Sequence, residues 1–160
     1  MNRSETLFPS RTPGFNHVAL SLPSDRLDAE GRRAICDFYG EVFGWEELPT
    51  QTEDRKRLVL AAHTYEQFVY LIADDRPMAC PRLDHFGLSV GSVDELHAAH
   101  DRAAAYRSRD DRVDLIAPTV EDHGVLQIHN FYVGYLLPLM VEVQHWAFPT
   151  PAREAAAAEG

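Results

Sequence analysis

The chain has 160 residues, of which 45% are hydrophobic, and this is enough to bury the core of one domain. Its 25 acidic residues outnumber its 15 lysines and arginines and give a formal net charge of −10. Such an acidic surface repels phosphate groups, so we expect neither nucleic acid nor an anionic membrane as a partner. No segment approaches the roughly 20 apolar residues of a membrane helix, and residues 1–14 lack the apolar core of a signal peptide. We therefore expect a soluble, cytoplasmic protein.

A seven-residue phrase occurs twice, at Asn16–Leu22 and, 68 positions later, at Asp84–Val90. Each copy has a histidine in its second position and a serine in its sixth. Because side chains alternate between the two faces of a strand, each histidine shares a face with small residues, and three larger apolar side chains lie opposite. The apolar face suits packing under a helix, and the small-residue face suits the floor of a cavity.

The first phrase is followed by a helix and three strands. Apolar residues recur at near-helical spacing from Leu27 to Phe43, and Gly44 ends this helix. The strands that we predict next are Trp45–Pro49, Arg57–His63 and Gln67–Ala73.

The second half repeats this order. Ser92 and Glu95 form a capping box that predicts the start of a helix after the second phrase. The strands predicted to follow are Val113–Ala117, Gly124–Val133 and Met140–His145. The duplicated order of strand, helix and three strands is the main organisational feature of the chain.

Two such halves, each with a histidine in its first strand, resemble the vicinal oxygen chelate superfamily, which includes glyoxalase I, fosfomycin-resistance proteins, bleomycin-binding proteins and extradiol dioxygenases. The segment Phe38–Trp45, where the first helix leads into the second strand, also looks like that superfamily. The resemblance covers Phe15 to Trp146. It implies an α+β fold in which two βαβββ modules form a cupped mixed sheet, and it implies a homodimer.

The expected domain boundaries follow from this duplication. A single domain, residues 15–148, contains one module at 15–74 and another at 83–146. We expect residues 1–14 to form a flexible arm and residues 149–160 a flexible tail.

Three side chains are candidates for a metal centre. His17 and His85 occupy equivalent places in the two halves, and Glu142 is a lone carboxylate in the apolar run Met140–Gln144. A carboxylate in such a strand is costly unless it is paired or coordinated, and Glu142 also matches the last-strand ligand of the superfamily. Two histidines and one glutamate favour Fe(II), although Mn and Zn accept the same ligands. The alternative is that the histidines are ordinary core residues.

The residues before Glu142 indicate which reaction the centre performs. His123, Phe131, Tyr132 and Pro138 precede it at spacings similar to those of extradiol dioxygenases, which cleave catechol rings. That resemblance implies that Tyr132 hydrogen-bonds a substrate hydroxyl and that His123 donates a proton or a hydrogen bond.

Two alternatives concern these roles. His129 is a rival to His123, but alternation places His129 and Tyr132 on opposite faces of one strand, so both cannot point inward. Tyr132 could also be an ordinary half-buried strand aromatic.

Tyr70 departs from the family patterns. It stands where glyoxalase I has a fourth ligand and where many two-domain extradiol dioxygenases have a histidine that handles dioxygen. Tyr70 provides neither group, which counts against both activities.

Three functions remain as hypotheses. The first is a dioxygenase that takes a catechol-like small molecule and dioxygen. The second is a glyoxalase-like isomerase, an epimerase or a thiol transferase. The third is a binding or resistance protein without turnover. The sequence leaves open whether the centre lies within one chain or between two.

Overall fold

The computed structural model describes residues 14–148. The predicted arm and tail therefore lie outside the described residues, apart from Gly14. In the first module the elements are β1 (His17–Leu22), a short 3-10 helix (Ser24–Leu27), α1 (Ala29–Phe43), β2 (Glu46–Glu47), β3 (Arg57–Ala61) and β4 (Phe68–Ala73). In the second they are β5 (His85–Ser89), α2 (Val93–Arg107), β6 (Asp114–Asp122), β7 (Gln127–Gly134) and β8 (Met140–Ala147).

Each module forms one four-stranded mixed sheet. The first sheet has the order β1-β4-β3-β2, and the second has the equivalent order β5-β8-β7-β6. Within each sheet the histidine strand runs parallel to its neighbour, and the remaining pairs are antiparallel. The predicted α+β architecture of two βαβββ modules is confirmed. Both histidine strands, β1 and β5, are edge strands of their sheets.

The helix starts follow from local capping. The side chain of Asp28 accepts hydrogen bonds from the backbone N–H groups of Glu30 and Gly31, so α1 begins two residues later than predicted. Ser92 caps α2 as expected. Each α-helix has 15 residues, and within residues 14–148 no helix has the length and apolar character needed to cross a bilayer.

The prediction that β6 ends at Ala117 is wrong, because the strand continues to Asp122. Pro118 has no N–H to donate, and the pairing of β6 with β7 shifts register between Ile116 and Thr119 before it resumes. The predicted start of β7 at Gly124 is wrong as well. Gly124 has a φ of 78° in the turn that joins the two strands, and the hairpin is therefore longer than the sequence indicates.

Aromatic side chains join the two modules. Phe38 on α1 stacks on Tyr135 with 4.5 Å between ring centroids, and the Tyr39 hydroxyl donates to the Tyr135 carbonyl oxygen at 3.1 Å. Arg102 on α2 donates to the carbonyl oxygen of Val42 at 2.9 Å. The buried residues of both modules form one continuous core. The faces of the sheets that hold the histidines lie away from this core.

We predict that replacing Tyr39 with Phe destabilises the protein by about 1 kcal/mol, because the buried carbonyl of Tyr135 loses its donor. Burial raises the pKa of Tyr39, so its hydroxyl remains a donor at all ordinary pH values. The free energy of unfolding in urea measures the loss. Tyr65→Phe is the matched control, since that side chain is 73% exposed. Equal stability of the Tyr39 variant and the wild type would contradict the assignment.

Candidate metal centre

The register of the second sheet brings three predicted site residues together. Glu142 lies on β8, opposite Gly87 of β5 on one side and opposite Tyr132 of β7 on the other. His85 lies one alternation away from Gly87 on the same face of β5. We call this face of the second sheet, which contains His85, Tyr132 and Glu142, the second-sheet site face.

The two oxygens of Glu142 have different surroundings. The side chain is buried, and its Oε1 accepts hydrogen bonds from Asn130 Nδ2 at 3.0 Å and from the Tyr132 hydroxyl at 2.8 Å. Its Oε2 faces His85 Nε2 at 3.2 Å. One oxygen is therefore held by two donors, and the other is left for a cation, as in a carboxylate that binds a metal through a single oxygen.

The tautomer of His85 follows from its second contact. Its Nδ1 lies 2.8 Å from the carbonyl oxygen of Leu83, and since a carbonyl oxygen only accepts, Nδ1 must carry the proton. In neutral His85 the lone pair of Nε2 then faces the carboxylate oxygen of Glu142. Two acceptors at this distance need a proton or a metal ion between them. A backbone carbonyl on the distal ring nitrogen is also the usual arrangement of a metal-binding histidine.

Asn130 orients the carboxylate, and the sequence analysis does not identify it as a site residue. It is buried, its Oδ1 accepts from the Thr119 hydroxyl at 2.6 Å, and its Nδ2 donates to Glu121 Oε1 at 3.1 Å as well as to Glu142. These partners fix which end of the amide faces Glu142. Alternation along β7 already places Asn130 on the face of Tyr132, but its partners on β6 depend on the register shift.

Tyr132 lies on the second-sheet site face, as alternation allows. Burial, together with the hydrogen bond to Glu142 and the charge of that carboxylate, raises the pKa of Tyr132 to about 12. Its ring meets the ring of His85 edge to face, with 5.1 Å between centroids. Tyr132 is therefore a protonated donor that contacts both side chains.

The pairing of the strands places His123 and His129 in different surroundings. His129 lies opposite His145, with 6.2 Å between ring centroids, on the face of β7 that does not hold Asn130. His123 lies in the hairpin turn, and its Nε2 is 3.6 Å from Glu121 Oε2. His123 is thus exposed and lies beyond hydrogen-bond distance of Glu121, whose other oxygen accepts a hydrogen bond from Asn130.

His17 and Tyr70 lie on the first sheet. The ring of His17 stacks on Phe68 with 4.8 Å between centroids, and its Nδ1 is 2.8 Å from Asn16 Oδ1. Tyr70 is two residues further along β4, so it lies on the same face as Phe68. We call this face the first-sheet site face.

The predicted triad is divided between the two sheets. His85 and Glu142 are in contact, whereas within residues 14–148 no three side chains of His, Cys, Asp or Glu converge as metal ligands. In the described part of the chain, His17 is therefore not grouped with His85 and Glu142.

We predict that Asn130→Ala weakens binding of a divalent metal by about 10- to 100-fold, because Glu142 loses the donor that orients it. Competition with a chromogenic chelator measures the affinity. Gln144→Ala is the control, since Gln144 lies on the same strand as Glu142 but bonds to Trp146 instead. If both variants bind metal equally well, Asn130 has no such role.

Comparison with known proteins reveals the fold but no relative by sequence. No protein-family model and no curated protein matches the chain. A lactoylglutathione lyase structure from Agrobacterium tumefaciens matches with a TM-score of 0.57 and 15% identity, over 84% of this chain and 94% of that one. A glyoxalase/bleomycin resistance protein from Albidiferax ferrireducens matches with a TM-score of 0.57 and 13% identity, over 82% and 98%.

A fosfomycin resistance protein from Listeria monocytogenes is similar as well, with a TM-score of 0.56 and 12% identity over 91% of this chain and 98% of that one. Identities this low show a shared fold and not a shared activity. All three structures match almost from end to end, across both βαβββ modules. The chain therefore has the vicinal oxygen chelate fold of glyoxalase and bleomycin-resistance proteins.

Proposed function

We propose that the protein is a metal-dependent enzyme in which His17, His85 and Glu142 hold a divalent ion, with Fe(II) preferred. The observation that supports this most strongly is the contact between His85 Nε2 and Glu142 Oε2. These are two facing acceptors whose neighbouring atoms already have hydrogen-bond partners. The donor set of two imidazoles and one carboxylate suits an ion that keeps positions free for substrate.

We further propose that a second copy of the chain completes the centre. In one chain β1 and β5 are both edge strands, and the side chains of His17 and His85 are exposed. Both strands border a groove of about 530 Å³ between the modules. A two-fold pairing that sets the first-sheet site face of one copy against the second-sheet site face of the other would form two equal centres.

The proposed reaction is extradiol-type cleavage of a catechol-like ring. A bound Fe(II) ion would supply coordination positions for two adjacent substrate oxygens and for dioxygen. Tyr132, whose raised pKa keeps it protonated, would donate a hydrogen bond to a substrate oxygen beside Glu142. His123 and Glu121 at the rim would exchange a proton with the substrate or with solvent. Apolar neighbours of His17, such as Phe68, would pack against the ring.

The second candidate is a glyoxalase-like lyase or isomerase, or a thiol transferase. It is supported by the fold shared with the lactoylglutathione lyase and with the fosfomycin resistance protein. Glu121 is the residue that favours this candidate. Its carboxylate is linked to Glu142 through the amide of Asn130 and is more exposed than that of Glu142. In this mechanism Glu121 would act as the proton acceptor. A binding protein without turnover is the remaining candidate.

We predict that the Fe(II)-loaded protein, mixed anaerobically with a catechol and then exposed to air, forms a yellow ring-fission product. Tyr132→Phe should slow turnover by about 10²- to 10⁴-fold, which is the usual contribution of a positioned proton donor. Absence of product across a panel of catechols, with conversion of methylglyoxal and glutathione instead, would reject the first candidate in favour of the second. Metal-free protein that cannot be reloaded would favour the binding protein.

A mixture of two inactive variants tests the shared centre. His17→Ala and Glu142→Ala chains, unfolded and refolded together, should recover about a quarter of the wild-type activity, because half of the dimers are mixed and each of these has one intact centre. Separately refolded variants are the control. No recovery in the mixture, when each variant still forms dimers, would place the centre within one chain.

A further inference from the structure

We propose that the cavity on the first-sheet site face binds the acidic group of an aromatic substrate through Arg57. This inference rests on the proposed function, since His17 at one end of the cavity is the proposed metal ligand. The cavity has a volume of about 580 Å³, which is the size of a small-molecule pocket. The side chains of its wall used in the argument are His17, Gln51, Arg57, Val59, Phe68 and Tyr70.

The charge of the cavity is opposite to that of the protein. The chain has a net charge of −10, yet among the described residues no Asp or Glu lines this cavity. Arg57 is the only Arg or Lys in the described part of the wall. A cationic group in a neutral wall attracts an anion more strongly than the same group among carboxylates.

Arg57 also has unused donors. Its Nε is buried and has no hydrogen-bond partner. Nη2 forms a long ion pair with Glu53 Oε2 at 3.8 Å, which is beyond hydrogen-bond distance, and the other oxygen of Glu53 is bound by Lys56. The side chain as a whole is 42% exposed, so part of it is accessible from the cavity. The guanidinium group matches a carboxylate, which accepts two parallel hydrogen bonds.

The register of the sheet sets the length of the ligand. His17 lies opposite Phe68 on β4, and Arg57 lies opposite Ile72, four residues further along the same strand. This offset corresponds to about 13 Å between the two positions along the strand direction. A substrate whose ring lies near His17 would therefore reach Arg57 only with an acid on a flexible side chain.

The wall between the two ends suits such a ligand. Val59 and Tyr70 pair across β3 and β4 between the two positions, and they provide an apolar and aromatic surface. Gln51 at the rim provides an amide that can bond the remaining carboxylate lone pairs. In this proposal Tyr70 contacts the substrate, although its phenol replaces neither the fourth metal ligand of glyoxalase I nor the histidine that handles dioxygen in extradiol dioxygenases. The structure points to an aromatic ring with a carboxylate about three bonds away.

The test compares 3-phenylpropionate with the neutral 3-phenylpropionamide, using the full-length chain before and after chelator treatment. Neither probe has vicinal oxygens, and after chelation the carboxylate has no metal to bind. We expect the carboxylate to bind the wild type about 10-fold more tightly than the amide, as measured by ligand-observed NMR titration. Arg57→Gln should abolish this preference. Equal binding of the two probes by the wild type would overturn the proposal.

Two further variants keep the test decisive. Arg55→Gln is the control, because Arg55 is paired with Asp28 and does not line the cavity, so the preference should remain. Arg57→Lys retains the charge without the paired donors and should keep a reduced preference if Arg57→Gln fails to fold. A preference that survives in folded Arg57→Gln would reject the subsite.

The outcomes also separate this inference from the proposed function. Carboxylate preference without metal binding or catechol turnover would reject the metal enzyme and leave the subsite. Metal binding and turnover without any carboxylate preference would reject only the subsite.

Discussion

The contact between His85 Nε2 and Glu142 Oε2 is the interaction on which the proposed centre depends. A buried carboxylate is tolerated only when its charge is compensated, and here Oε1 is compensated by two neutral donors while Oε2 meets a ring nitrogen that has no proton in the neutral tautomer. The remaining charge requires a proton or a metal ion between these two atoms. The surrounding hydrogen bonds hold Glu142 in one orientation, which pre-organises the site for that cation.

The helical sides of the two modules pack against one shared core, and this packing places a second constraint on the proposed function. Phe38 and Tyr39 on α1 contact Tyr135, and these contacts hold the helical sides of both modules against one core. The site faces of the two sheets consequently lie on the outside of this core, with His17 on one and Glu142 on the other. In our proposal the same constraint makes a second copy of the chain necessary for catalysis. The site between the two copies then has two different walls. The wall from the second sheet provides Glu142 and Tyr132, and the wall from the first sheet provides the subsite at Arg57.

Local alternation made half of the site predictable. The alternation of side chains places His85 on the small-residue face of β5. The lone carboxylate of Glu142 in an apolar strand indicates that its charge must be compensated, even though the sequence does not identify the compensating group. The duplicated order of elements identified both modules and hence the fold.

The parts that sequence could not predict depend on distant pairings. The contacts of Asn130 with Thr119 and Glu121 need a register that shifts at Pro118, which the pattern of β6 does not encode. The separation of His17 from Glu142 follows from the contacts between α1 and Tyr135, which are far apart in sequence. The unpartnered Nε of Arg57 is a property of the folded cavity alone.

Anomalous diffraction at the iron edge, from crystals grown anaerobically with Fe(II), tests the central claim most directly. We predict one strong peak per chain, within about 2.2 Å of His85 Nε2, Glu142 Oε2 and a ring nitrogen of His17 from the second copy. A peak within this distance of only one of these side chains, or full iron occupancy at another position, would contradict the account.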